Sequence, residues 1–212
     1  RNWHPMVEDT VREMRNEGVK RALVFVTSAF SSYSGCRQYR EDLARAVAPL
    51  GEEGIIFDKI RVFYNHPGFV EAMADRVREG LEQLPLERRA GAELIFTAHS
   101  IPMSMARTST YEAQLRDSCQ LVADAAGVRN WRLAYQSRSG SPHTPWLEPD
   151  ILDVLGSVRD AGIADVLVAP IGFISDHMEV MFDLDEEAME RAEELGLHMV
   201  RVGTVGTHPA FV

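Results

Sequence analysis

The sequence predicts an α/β fold: a parallel sheet flanked by helices in three layers. Six short runs rich in Val, Ile, Leu, Phe and Ala alternate with longer amphipathic segments, the pattern of strands joined by helical crossovers. The apolar runs, such as Ala22 to Val26 and Val166 to Ile171, have the length of buried strands. Several of them end in strings of polar residues, and in open parallel sheets ligands sit at the carboxyl ends of the strands.

The elements follow in order. Met6, Val7, Val11 and Met14 recur at helical spacing, and Gly18 is a stop. Ala22 to Ala29 reads as a strand, Ser31 to Gly35 as a small-residue loop, and Gln38 to Ala48 as a helix. A strand is expected over Ile55 to Tyr64, then a long helix from Pro67 to Leu84 with its proline in the first turn. Leu94 to Ala98 is a strand, followed by a loop rich in Met, Ser and Thr, then a helix from Tyr111 to Gly127. Trp131 to Gln136 is a strand and Ser137 to Pro145 a polar loop. Asp150 to Asp160 is helical, Asp165 to Ile171 a strand, Glu179 to Leu195 a helix, and His198 to Val202 a last strand. One sheet is expected, with its strand termini at Thr27-Ser28, His99, Gln136-Ser137 and Gly172 opening on one edge.

Composition narrows the function. Hydrophobic and charged contents of 45% and 25% are those of a globular protein. No stretch approaches the roughly 20 apolar residues of an integral membrane segment. A formal charge of -10 argues against nucleic acid and anionic membranes and favours cations as partners. Cys36 and Cys119 make no CxxC pair, so a reduced, cytoplasmic protein is expected. The chain has no initiator Met or signal peptide, and Thr207 to Val212 stops where another helix should begin, so a fragment of a longer protein is expected.

Two strings concentrate the chemistry. In Leu94-Ile-Phe-Thr-Ala-His-Ser-Ile-Pro102, His99 follows a buried strand. It is either a satisfied core residue or a proton acceptor, since an imidazole titrates near pH ~6.5. The second string, Val166 to Glu179, ends in Asp176-His-Met-Glu179. A helix from Asp176, at about 100° per residue, puts Asp176, Glu179, Asp183 and Glu187 in one stripe, which Glu190 and Glu194 continue. Like charges at that spacing cost roughly 0.2–0.5 kcal/mol per pair, which a cation or plain solvation must offset. Solvation suits Glu190 and Glu194; a metal path suits Glu179, Asp183 and Glu187, whose oxygen donors match divalent iron, manganese or magnesium. His177 falls on the other side and orients its neighbours. The loop from Thr27 to Gly35 has no GxGxxG or Walker pattern, but Ser31 and Tyr33 could line the wall of a cleft for a flat, apolar ligand. Met103 and Met105 could form an adaptable lip, and Trp146 either pins its loop or touches a ligand. Cys119 reads as a buried thiol. Cys36, beside Arg37 and Arg40, is a reactive thiol, an ordinary loop residue or one ligand of a cluster completed elsewhere.

These strings resemble one family. Phe96-Thr-Ala-His-Ser-Ile-Pro102 is similar to the ferrochelatase signature around its catalytic histidine. Tyr135-Gln-Ser-Arg-Ser-Gly140 and Pro145-Trp-Leu-Glu-Pro-Asp150 resemble that family's next two motifs, and Pro170 to Asp185 resembles the segment carrying its catalytic glutamate. Ser32 to Glu41 is similar to the actinobacterial branch, which uses coproporphyrin III. The resemblance implies a chelatase-like, Rossmann-like topology in which residues 1–35 end a first α/β domain and 36–212 form the second. It implies His99 and Glu179 as the facing catalytic pair, with His99, Glu179, Asp183 and Glu187 handling the metal, and Ser31, Tyr33, Met103 and Trp146 in the porphyrin cleft. The substrates implied are a porphyrin and ferrous iron (Fe2+), the product is the iron porphyrin of haem synthesis, and other enzymes of that pathway are transient partners. In the actinobacterial branch Cys36 matches one ligand of a two-iron two-sulfur cluster ([2Fe-2S]) in the full-length parent. Asn2 stands where some relatives carry a histidine, and no metal role is assigned to it.

Two other functions compete. A related chelatase would insert cobalt or nickel into another tetrapyrrole, and histidines near His99 would favour it; Met, Ser and Arg stand there instead. A haem or porphyrin carrier would bind without inserting metal, and would need no base opposite a carboxylate.

Overall fold

The computed structural model of the protein describes residues 3–141 and 143–212, with nothing said of the side chains at 52 and 53; Asn2 lies outside the described residues. The chain divides into two compact units, Arg1–Val62 and Phe63–Val212. In the first, helix α1 (Val7–Asn16) precedes strand β1 (Arg21–Val24), and helix α2 (Gln38–Val47) precedes strand β2 (Ile56–Lys59). The two strands pair in parallel, Arg21 opposite Ile56 through Val24 opposite Lys59. Val11, Ala46 and Ile55 form the buried centre, with Val7, Met14, Ala22 and Phe57 packed on it. Side chains alternate across a strand, so the other face presents Leu23 and Ile56 to solvent, at 74% and 61% exposure. Phe25 and Ile60, just past the strand ends, are exposed too.

The compact units divide after Val62, whereas the domain boundary implied by the resemblance lies after residue 35. The reason is packing: α2 lies against α1, and β2 is the hydrogen-bonded neighbour of β1, so residues 36–62 are held by what precedes them. Both strands are shorter than the runs Ala22 to Ala29 and Ile55 to Tyr64 that predicted them.

The second unit begins with α3 (Pro67–Glu82) and the short α4 (Leu86–Arg89), then β3 (Glu93–His99), the short α5 (Met103–Ala106), α6 (Tyr111–Ala126) and β4 (Trp131–Gln136). It continues through α7 (Ile151–Asp160) and β5 (Asp165–Ala169) to α8 (Met178–Val180). A π-helical stretch, Met181–Ala188, carries α8 into α9 (Met189–Glu194), and β6 (His198–Arg201) is the last strand. The sheet is parallel in the order β4-β3-β5-β6. The six predicted strands therefore exist, but in two sheets rather than one, and the Thr27-Ser28 terminus does not belong with the other three.

Alternation along the strands assigns the layers. Ile95, Ala134, Val166 and Val168 pack on Ile151, Val154, Leu155 and Val158 of α7 and on Val180, Leu184, Ala188 and Ala192 of the last helix. Leu167 and Val200 point the opposite way, onto α3, where a Cβ at Gly80 would come 3.2 Å from Leu167 and 2.8 Å from Val202. Helices thus cover both faces, the three-layer arrangement that buries a parallel sheet. Arg88 grips the buried carboxylate of Asp165 with two hydrogen bonds of 2.9 and 2.6 Å, and His198 lies 3.0 Å from the same group. Among the described residues no helix is long and apolar enough to cross a membrane.

Candidate active site

Strand β3 is buried from Glu93 to Ala98 and emerges at His99. In register, His99 stands opposite Gln136, the last residue of β4. The neighbouring β5 ends at Ala169 and turns through Pro170-Ile171-Gly172. Gly172 N–H donates to the Thr97 carbonyl at 3.0 Å, and a Cβ at Gly172 would lie 2.6 Å from the Ala98 Cα. Only glycine lets this turn pass so close to β3, which brings the chain leading to α8 alongside His99.

His99 is held at three points. The Tyr111 hydroxyl donates to its carbonyl at 3.0 Å. The ring Nδ1 bonds the Ser100 carbonyl, and Nε2 lies 3.1 Å from Glu179 Oε1. A carbonyl can only accept, so Nδ1 carries a proton, and the contact of Nε2 with a carboxylate oxygen is a hydrogen bond when a second proton lies between those two atoms. A proton arriving at Nε2 would be held against that carboxylate. Both side chains keep solvent access, 35% for His99 and 44% for Glu179.

The rest of the rim is built by pairing two loops. Ser100 Oγ donates to the Leu147 carbonyl at 2.8 Å, Leu147 N–H to the Ile101 carbonyl at 3.0 Å, and Met103 N–H to the Pro145 carbonyl at 2.9 Å. Pro102 and Trp146 form a bridge, and the Trp146 indole Nε1 is buried with no hydrogen-bond partner among the described residues. Met103, expected in a loop, opens the one-turn helix α5 instead and is half-buried; Pro102 at the N-cap starts that turn. Ser31 and Tyr33 belong to the first unit, where the Tyr33 hydroxyl donates to Glu41 Oε2 at 2.9 Å. Cys36 sits half-buried as a free thiol in the turn Tyr33–Arg37, which the Ser32 side chain caps at Gly35 N–H. Cys119 is the other free thiol, and burial in α6 pushes its pKa up.

The acidic helix differs from its expected form in two ways. It begins at Met178, with His177 extended before it, so Asp176 is outside the helical stripe. Asp176 instead accepts from Arg201 Nη1 at 2.7 Å. His177 packs edge-on against Phe173, with ring centroids 5.3 Å apart. Second, the stretch Met181–Ala188 is π-helical. In an α-helix residues four apart drift by about 40° around the axis; the wider i→i+5 turn opposes that drift. Asp183 and Glu187 thereby line one small cavity of about 140 Å³ together with Gln136, Ser137 and Asp150. Ser137 Oγ and Gln136 Nε2 both donate to Asp183 Oδ2, the latter at 3.2 Å. Burial raises the pKa of Asp150 against the opposing Leu152 N–H bond, with the charges of Asp153 and Asp183 adding to the rise.

In the sequence Gln136 and Ser137 mark a strand terminus and belong to one of the family-like motifs, without a role of their own. Their polar string was visible, but their partner could be named only once β4 was known to lie beside β3. The four residues assigned to the metal form a pair, His99 with Glu179, and a continuation at Asp183 and Glu187. Among the described residues no three His, Cys, Asp or Glu side chains converge to hold a metal ion.

A sequence model of the ferrochelatase family matches residues 1–212. The chain belongs to the ferrochelatase family. It is 52% identical to a ferrochelatase of Rhodopirellula baltica and 52% identical to a coproporphyrin III ferrochelatase of Streptomyces coelicolor. A coproporphyrin III ferrochelatase of Nocardia farcinica is 49% identical. Each alignment covers 100% of this chain, and the chain spans 60%, 61% and 62% of those relatives. Among solved structures, SirB from Bacillus subtilis with Fe3+ has a TM-score of 0.70 at 13% identity, covering 100% of this chain and 75% of SirB. That likeness shows a shared chelatase-type α/β fold. Within this ferrochelatase-family chain, the strand ends carry an open imidazole, a facing carboxylate and a further acidic pair, a set able to accept protons and to attract a divalent cation.

Proposed function

We propose that the full-length protein inserts ferrous iron into a porphyrin, coproporphyrin III by preference with protoporphyrin IX accepted, and releases two protons for each iron porphyrin formed. The observation that carries this is the contact of His99 Nε2 with Glu179 Oε1 at 3.1 Å, open to solvent on both sides. Insertion requires that two pyrrole N–H protons leave while the cation sheds water. The Nε2 lone pair accepts a proton, Glu179 stabilises the imidazolium, and Asp183 and Glu187 form the acidic approach along which iron exchanges water for carboxylate oxygen. Met103 and Trp146 on the rim serve the macrocycle. The names of the relatives support the porphyrin.

In the same reading the protein works in the cytoplasm and meets other haem-synthesis enzymes transiently. A two-iron two-sulfur cluster needs four ligands. The resemblance to the actinobacterial branch implies Cys36 as the thiol this chain would contribute; the other cysteine, Cys119, is buried in α6.

The test supplies the full-length protein with ferrous iron and either porphyrin under anaerobic conditions and follows absorbance. His99→Ala and Glu179→Gln each lower turnover by about 10²-fold or more, the usual worth of a positioned acid–base group, while fluorescence shows porphyrin still bound. Normal turnover in either variant overturns the assignment. Cobalt or nickel inserted in preference to iron would point to the rival chelatase, and binding without any insertion to a carrier.

A further inference from the structure

Arg201 ends β6 and has only 18% of its side chain exposed. Its guanidinium bonds Asp185 twice, Nε to Oδ1 at 2.7 Å and Nη2 to Oδ2 at 3.3 Å. Nη1 reaches Asp176 Oδ1 at 2.7 Å and the Val202 carbonyl at 3.2 Å. Thr204 Oγ1 donates to the other Asp176 oxygen at 3.2 Å, and Gly206 N–H to the Ile174 carbonyl at 2.9 Å. The last strand and the segment after it thus grip both the approach to the acidic helix and its second turn.

The helix needs such a grip from outside. His177 occupies its N-cap without any side-chain hydrogen bond, so no local cap fixes where the helix starts. Asp176 and Asp185 bracket Glu179 and Asp183 in sequence. A fork with fixed donor geometry on both sets the height and rotation of the turn between them, which a point charge on a flexible stem does not. The guanidinium also occupies oxygens of two carboxylates and offsets one of their two charges, so they compete less with Glu179, Asp183 and Glu187 for a cation.

We infer that Arg201 is a positioning residue: it holds the start of the acidic helix so that Glu179 faces His99, and it withdraws Asp176 and Asp185 from cation binding. The inference rests on the reading of His99 and Glu179 as the insertion pair. Burial works against the guanidinium charge, but the bonds to Asp185 and the charge of Asp176 outweigh it, so Arg201 stays a cation.

The experiment compares full-length wild type, Arg201→Met, Arg201→Lys, Asp176→Asn and Glu179→Gln, each with ¹⁵N-labelled histidine. The His99 resonance, assigned by its loss in His99→Ala, reports the Nε2 contact directly. In Arg201→Met it moves to the position seen in Glu179→Gln, and iron-insertion turnover falls about tenfold to a hundredfold, the scale of an ångström-sized misplacement. Arg201→Lys gives an intermediate shift and an intermediate rate. An unmoved His99 signal in a folded Arg201→Met protein overturns the inference, whatever happens to its melting temperature. Should Arg201→Met fail to fold, Asp176→Ala, made in addition, decides, because it removes the acceptors of Arg201 and Thr204 that Asn would keep: a moved signal supports the inference and an unmoved one overturns it. If wild type inserts no metal, the insertion reading fails, and the resonance comparison still judges the positioning role on its own.

Discussion

Ser137 is the residue at which backbone, hydrogen bonding and chemistry meet. Its φ of 62° is in the left-handed region, which disfavours any side chain with a Cβ. Its hydroxyl in turn holds Asp183. Strain at a residue that also orients a carboxylate is a recurrent property of functional sites. Two substitutions separate the contributions. Ser137→Ala keeps the strain and loses the bond, so calorimetry should record a loss of about 1 kcal/mol. Ser137→Gly loses the bond and relaxes the backbone, so its stability should stay within about 1 kcal/mol of wild type. Both should slow iron insertion similarly, and a rate loss that follows stability instead would remove Ser137 from the site. At this scale His99 and Glu179 were legible, since each sits in a string dense in reactive residues beside an apolar strand. Ser137 and Arg201 were not, because their roles depend on partners 46 and 16 residues away in sequence.

Among the elements, α7 offers the sharpest test, because a single residue both caps it and feels its burial. Asp150 accepts from Leu152 N–H at 2.9 Å, so Asp150→Ala should cost about 1 kcal/mol as the cap is lost. Asp150→Asn keeps an equivalent cap and removes a charge that burial opposes. The sign follows from linkage. With its pKa raised on folding, Asp150 binds its proton more tightly in the native state, so native stability declines as pH rises from the unfolded value, roughly 3.9, through the raised one. The advantage of Asn over Asp in urea titrations should therefore be present above the raised pKa and vanish below the unfolded one. The opposite trend would mean that the carboxylate is stabilised where it sits. The helix start at Asp150 was readable from its acidic cap. The start at Met178 falls one residue before the expected Glu179 and two after the other start considered, Asp176, because His177 offers no cap signal; the π-helical stretch was not readable, since the acids fit α- and π-helical spacing alike over so few turns.

For the whole molecule, the two units differ in how much they can bury. Phe63–Val212 encloses a four-stranded sheet between helices on both faces, whereas among the described residues of Arg1–Val62 the core cluster is built on Val11, Ala46 and Ile55 with a rim of half-buried side chains, and Val26, Ala29 and Phe30 are buried apart from it. Small cores are marginal. Expressed alone, residues 63–212 should melt cooperatively and preserve the His99 resonance, while residues 1–62 should show no cooperative melt by circular dichroism. A cooperative melt of the smaller piece would show that its core suffices. Strand count and parallel direction were legible from alternation of the elements, but the division into two sheets was not, since hydropathy reports that a strand is buried and not which strand it joins. One consequence follows from the bare side of the β1–β2 pair. Parallel sheets are normally covered on both faces, and here Leu23, Phe25, Ile56 and Ile60 are exposed on one side of a two-stranded sheet. Such a side should favour self-association at high concentration, which light scattering would register as a rising apparent mass. Colloidal behaviour, rather than the chemistry at His99, then sets the practical ceiling on how much of the isolated 212-residue polypeptide can be kept in solution.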